Sequence, residues 1–212
     1  MTIPFHRSIY LASRSPRRRE LLAQLGVPFH LLMFRTRTGA GPELNEDPRP
    51  GEAPGDYVLR IAREKAESGW SRMLQRRLPP APVLAADTTV ALEDRIFGKP
   101  GDHREAEQIL AALSGKRHEV LTAVALKHGD RLETVLSASE VQFRELSTQE
   151  IQDYVATGEC NDKAGAYAIQ GRAAMFVREI RGSHSGIVGL PLYETAQLLQ
   201  TLGPLHDRRN SD

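Results

Sequence analysis

Several charged residues stand where local sequence rules favour something else, and together they outline a chemistry. Ser13-Arg14-Ser15-Pro16-Arg17-Arg18-Arg19 places four arginines where the short apolar run Ile9-Tyr10-Leu11-Ala12 gives way to a helix. Ser15 suits the N-cap and Pro16 the first helical position, so Arg17 to Arg19 fall in the first turn. A helix start already carries unpaired N–H groups and a partial positive charge, and it ordinarily attracts Asp or Glu. An anion explains cations there: a phosphate held by helix amides and guanidinium forks turns repulsion into charge-assisted hydrogen bonds. A solvated basic face is the alternative on spacing alone. Lys65 replaces an apolar residue in the inward stripe Val58, Ile61, Ala62, Lys65, so it either faces a cleft or lays its stem on the core and lifts its head to water. Asp87 interrupts the apolar run Val83–Leu92, and a carboxylate buried there unpaired is too costly to keep. Lys99 is presented by the tight loop Gly98-Lys99-Pro100-Gly101, and Glu46 sits beside Asp47 in a stretch rich in Gly, Pro and charge.

Arginine and lysine neutralise phosphate oxygens, while carboxylates hold a hard divalent cation or orient a water, so this mixture suits phosphoryl chemistry. The common alternatives lack their signatures. The chain has no Gly-x4-Gly-Lys-Ser/Thr, no Gly-x-Ser-x-Gly and no His-Glu-x-x-His, which argues against a P-loop, an esterase elbow and a zinc protease. The seven histidines are scattered, and acids on separate elements give no diagnostic ligand spacing. A formal net charge of +1 argues against a broad nucleic-acid footprint but permits a local basic pocket for a small anion. Cys160 is alone, so neither a disulfide framework nor a cysteine-based zinc site is expected, and a reducing cytoplasm is the simplest location. No stretch approaches the roughly 20 apolar residues that span a bilayer.

The elements that must position these residues follow from periodicity and stop signals. One domain is expected over 1–203, with a polar tail over 204–212. The first strand and helix end at Gly26; a second strand runs over Phe29 to Phe34, and a long loop over Arg35 to Gly55. Asp56 caps the helix carrying Lys65, Val83 to Leu92 is a strand, and Asp102 with Glu105 forms a capping box. His118 to Lys127 and Leu132 to Arg144 form a hairpin; Ser147 and Glu150 form a second capping box, for a helix that buries Ile151, Tyr154 and Val155. The small residues of Asp162 to Gly171 suit close backbone approach, Ala174 to Ile180 reads as a strand, and Pro191 opens the last helix.

The blocks Ser13-Arg14-Ser15-Pro16-Arg17-Arg18, Ala86-Asp87-Thr88, Gly98-Lys99-Pro100, Leu113-Ser114-Gly115 with His118 and Thr122, Asp162-Lys163-Ala164-Gly165-Ala166-Tyr167 through Ile169-Gln170-Gly171, and Val188-Gly189-Leu190-Pro191-Leu192 resemble the Maf family of nucleoside triphosphate pyrophosphatases. They occur in family order over nearly the whole chain, and their combination is far more specific than any one of them. The resemblance implies an α/β fold, a mixed twisted sheet with flanking helices in two lobes around a central cleft, often as a homodimer. It implies cleavage of a nucleoside triphosphate to the monophosphate and pyrophosphate with a divalent metal cation, Mg2+ or Mn2+. It further implies Asp87 as proton acceptor, and Arg17, Thr88 and Gln170 as marks of the branch acting on dTTP and UTP, extending to modified pyrimidine triphosphates. Phosphate contacts are then expected from Ser13, Ser15, Arg18, Lys65 and Lys99, with Glu46 and Asp87 as metal ligands. The rivals are a 7-methyl-GTP-type modified-purine pyrophosphatase and a non-catalytic nucleotide or nucleic-acid binder regulating cell division. The chain departs from the family at Asn45-Glu46, where the family has Asp-Glu. No stable nucleic acid and no membrane is expected as a partner. Gln170 carries an acceptor and two donors that match the uracil or thymine edge, although it could equally serve only to tie down its loop.

Overall fold

The computed structural model describes residues 8–32 and 45–202. Residues 35–44 of the long loop expected at 35–55, the end of the strand expected to reach Phe34, and the polar tail lie outside the described residues. The first unit is β1 (Ile9–Leu11), α1 (Pro16–Gln24) and β2 (Phe29–Leu31), with the two strands parallel. The expected caps are present: the Ser15 hydroxyl accepts from the Arg18 amide, Pro16 opens the helix, and Gly26 takes the φ of 68° that ends it. Leu21 and Leu22 supply the buried face.

α2 (Pro54–Gln75) then leads to β3 (Val83–Leu92), which turns back through Glu93-Asp94 into β4 (Arg95–Phe97). α3 (His103–Leu113) precedes the long hairpin of β5 (Arg117–His128) and β6 (Arg131–Phe143). α4 (Thr148–Ala156), two short 3-10 turns at Ala164–Ala166 and Arg172–Phe176, β7 (Val177–Arg181), α5 (His184–Val188) and α6 (Leu192–Gln200) complete the described chain. The sheet has seven strands in the order β2-β1-β3-β5-β6-β7, with β4 added to β3, and only the β1 pairings are parallel.

Alternation along β3 sorts the core. Val83 and Ala85 pack with Val58, Ile61, Ala62 and Ala66 of α2 on one face. Leu84 and Ala86 pack with Leu21 and Leu22 of α1 and with Leu198 and Leu199 of α6 on the other. Beyond the middle of the strand, Val90 joins a third cluster built on α3, α4, Phe143, Tyr167 and Phe176. The long strands β3 and β5 thus run through two packing lobes.

Three expectations are corrected. The Lys65 helix starts at Pro54 with Ala53 in the cap position, and Asp56 lies inside its first turn, because Pro54 is already pre-set for helix entry. Asp102 does cap α3, but Glu105 reaches back to the Gly101 amide rather than completing the reciprocal box. Residues 172–176 are a 3-10 turn, so the strand expected from Ala174 begins only at Val177. The short α5 gave no periodic signal over its five residues.

Gly165 shows why the 162–171 segment is rich in small residues. Its φ is 70°, a Cβ there would lie 2.6 Å from Val90 Cγ2, and its amide donates to Gly98 O at 3.1 Å. Gly165→Ala combines left-handed strain with overpacking, and we expect a loss of about 2–4 kcal/mol. A thermal melt of the variant within a degree of wild type would disprove this close packing.

Candidate active site

The site forms where β3 lacks a neighbour. β5 pairs with β3 from Val83 to Ala91 along one edge. On the other edge β1 covers Val83 and Leu84, and β4 covers Val90 to Leu92. Residues 85–89 therefore have no strand partner on that side among the described residues. Since Pro82 O and Leu84 O accept from β1, strand alternation turns the backbone groups of Ala86 and Thr88 toward the same gap.

Asp87 faces α2 across this gap. Its Oδ1 accepts from Lys65 Nζ at 2.7 Å, and the same ammonium lies 3.0 Å from Glu46 Oε1. The Lys65 and Asp87 side chains are 16% and 11% exposed, so Lys65 faces the cleft and does not snorkel to water. Glu46 is the more exposed member, and its segment is pinned to α2. The Tyr57 hydroxyl donates to Glu46 O at 2.9 Å, and Arg60 grips Glu52 at 2.6 and 2.7 Å while donating to Asp47 O. Burial, reinforced by Asp87 and Glu46, pushes Tyr57 up to about 12, which keeps it a donor. No periodic signal in the sequence marks this Tyr57 and Arg60 tether.

Thr88, the next residue, points to the opposite face. Arg18 donates from Nε to Gly189 O at 2.8 Å and from Nη2 to Thr88 Oγ1 at 3.1 Å. Two of its five N–H groups are thus spent on the scaffold, leaving three for an anion. Burial lowers its pKa, opposed by Asp87, so Arg18 also feels the carboxylate around the strand edge. Arg17 is half-buried, with its pKa lowered by burial and held up by Asp162 and Glu20, and its Nε has no hydrogen-bond partner among the described residues. The basic turn therefore faces protein and cleft and is not a solvated face. Ser13 and Ser15 do scaffold work: the Ser13 hydroxyl accepts from the Ser15 amide and the Ser15 hydroxyl caps α1.

The 162–171 segment closes the far side. Burial and then Arg17 lower Lys163, which sets this segment against the start of α1. Lys99 is exposed on the loop tied to Gly165 through Gly98 O. The segment is held by Tyr154, whose hydroxyl accepts from the Ala168 amide, and by Glu159, which accepts from the Arg172 amide at 3.1 Å. His118 adds a buried tie, with Nε2 2.9 Å from the Tyr167 hydroxyl. Gln170 is exposed and is not one of these ties, which leaves its amide available to a ligand. The structure thus gathers Glu46, Lys65, Asp87, Arg18 and Thr88 around one strand edge, with Arg17 facing Asp162 and Lys163. No hydrogen bond or ion pair joins Lys99 or Gln170 to that centre among the described residues.

Among the described residues no three His, Cys, Asp or Glu side chains converge to form a metal cage. The Asp87 and Glu46 pair does fit the mode in which one or two carboxylates hold Mg2+ and phosphate oxygens complete the shell.

The Maf-like protein family matches residues 8–202. The chain is 58% identical over 201 residues to a dTTP/UTP pyrophosphatase of Aromatoleum aromaticum, covering 94% of this chain and 98% of that one. It is 53% identical over 203 residues to a dTTP/UTP pyrophosphatase of Nitrosomonas europaea, covering 96% and 98%. A third, from Nitrosospira multiformis, is 57% identical over 192 residues, covering 91% and 93%. Among solved structures, a Staphylococcus aureus protein superposes with a TM-score of 0.39 at 11% identity over 65% of this chain and 72% of that one, too loose a likeness to bear on function.

His118 makes the anchoring of the segment measurable. Burial lowers its pKa to about 4 from 6.5. The unfolded chain takes up this proton first as pH falls, so stability is full above the unfolded value and drains between 6.5 and about 4. The loss reaches up to about 3 kcal/mol. His118→Gln keeps a hydrogen-bonding side chain but does not titrate, and its denaturation midpoint should fall less than that of wild type over this window. Parallel pH profiles for the two proteins would remove His118 from the linkage.

Proposed function

The chain belongs to the Maf-like protein family, and from that premise we propose that it hydrolyses dTTP and UTP to the monophosphate and pyrophosphate. The observation that carries the reading is the Lys65 ammonium held between Asp87 and Glu46 at the unpaired edge of β3, with the α1 arginines close by. Only a charged ligand makes sense of so much charge around one strand edge. Asp87 is placed to orient the attacking water and accept its proton. Lys65 has three N–H donors, of which Asp87 takes one while Glu46 lies 3.0 Å away as an ion pair, so donor capacity remains for a phosphate oxygen. The Arg17 guanidinium and the unspent N–H groups of Arg18, with Lys99 on its exposed loop as a further cation, stabilise charge on the α phosphorus and the departing pyrophosphate. A Mg2+ or Mn2+ ion at Asp87 and Glu46 would supply further neutralisation of phosphate oxygens.

The names of the relatives do not favour the modified-purine reading or the non-catalytic regulator. No helix among the described residues is long and apolar enough to cross a membrane. Cytoplasmic location and a homodimer belong to the same proposal, supported by the family resemblance.

Incubation with canonical and modified triphosphates, followed by product identification, tests the reading; diphosphate with phosphate as products would sink it. Asp87→Asn should keep the fold and nucleotide binding while losing about 10²-fold or more in turnover. Near wild-type turnover in that variant would take Asp87 out of the mechanism.

Chelation tests the metal separately. EDTA should abolish activity, and Mg2+ or Mn2+ should restore it. Glu46→Gln should then need more metal for the same rate; an unchanged metal requirement would exclude Glu46 from the metal shell.

A further inference from the structure

The Thr88 hydroxyl belongs to a chain of hydrogen bonds whose direction is forced. Arg18 Nη2 can only donate, so Thr88 Oγ1 accepts from it at 3.1 Å. Thr122 lies opposite Thr88 in the β3–β5 register, is fully buried, and donates its single proton to Gly186 O at 2.8 Å. Reversing that bond would strip Gly186 O of this buried donor. The 2.9 Å contact between the two threonines must therefore run from Thr88 to Thr122. With its proton committed, Thr88 has only a lone pair left to offer a ligand.

We propose that Thr122 is a positioning residue for base selection: it locks Thr88 as an acceptor, so that this point of the site takes a substrate hydrogen-bond donor, the N3–H of uracil or thymine. The proposal rests on the dTTP and UTP reading above. A phosphate oxygen is excluded as the partner, because it too accepts. Donors on the substrate come from two sources, the base N3–H and the sugar hydroxyls. The 2′-hydroxyl is absent from dTTP, and the 3′-hydroxyl is common to all nucleotides, so neither accounts for a choice of these two bases. Cytosine presents an acceptor at N3, which would meet the Thr88 lone pair with no proton between them. Mismatched buried polar groups discriminate strongly, since each is left unsatisfied. Thr88 remains within the cleft, its hydroxyl 3.7 Å from where a Cβ on Gly189 would stand, so the glycine leaves room at the oxygen.

Thr122→Val keeps the side-chain shape but releases the Thr88 proton, which can then point at a substrate acceptor. We expect the kcat/KM preference for UTP over CTP to narrow by roughly tenfold or more, mainly through KM, while kcat for UTP changes little. Thr122→Ser restores the acceptor for Thr88 and should restore the preference. An equal proportional loss on both nucleotides, or an unchanged preference in Thr122→Val, overturns the proposal. Wild-type enzyme supplies a second measurement that does not depend on the variant folding. The more acidic N3–H of 5-fluoro-UTP should make its affinity fall at lower pH than that of UTP, and coincident alkaline limbs overturn the proposal. A defect confined to 3′-deoxyuridine triphosphate, with CTP used as well as UTP, assigns the donor to the sugar and also overturns it. Wild-type enzyme inactive on both dTTP and UTP would instead defeat the functional reading itself, a different result from any of these.

Discussion

A carboxylate in the middle of a buried strand is the constraint on which the structure turns. Asp87 stands between Ala86 and Thr88 of β3 and opposite Ala123 of β5, buried from the water that would solvate it. It is stable there only because Lys65 reaches it at 2.7 Å, and that ammonium in turn is shared with Glu46. The placement of Lys65 needs a long, well-packed α2, and the placement of Glu46 needs the Tyr57 and Arg60 tethers. Much of the N-terminal half can thus be understood as the means of holding one paired carboxylate beside an open strand edge.

The opening itself comes from strand length. β1 stops after Leu11, where Ser13 and Ser15 turn the chain into α1, and β4 is too short to reach back along β3. The gap between them exposes the edge of a strand whose other edge is paired from Val83 to Ala91. A cleft of this kind is rigid on one side and adaptable on the other. β3 and β5 fix the reactive side chains, while the 45–53 and 162–171 segments are fastened by individual side-chain bonds.

The sequence carried the centre of the site better than its rim. Asp87 and Lys65 were visible because each breaks a periodic pattern, and the structure joins them. Arg17 and Arg18 were visible because their charge is wrong for a helix start. Asp56 is not the cap because Pro54 two residues earlier is an equally good entry signal, and residues 174–176 belong to a 3-10 turn and not to the expected strand because their apolar content has no distinguishing period. The role of Thr122 could not be read at all. It depends on strand register and on a carbonyl more than sixty residues away, Gly186, and neither is written locally.

Asp87 and Thr88 are neighbours in the chain, yet one meets α2 and the other meets α1 and the α5 region. Two different tasks are therefore encoded in a single peptide unit by parity. A slip of β3 by one residue against β5 would exchange the faces of every side chain, putting the acid among the threonine partners and the hydroxyl against Lys65. The continuous ladder from Val83 to Ala91 is consequently a phase lock as well as a support. Within this strand, substitutions can be graded by size and polarity, but a single inserted or deleted residue has no mild form.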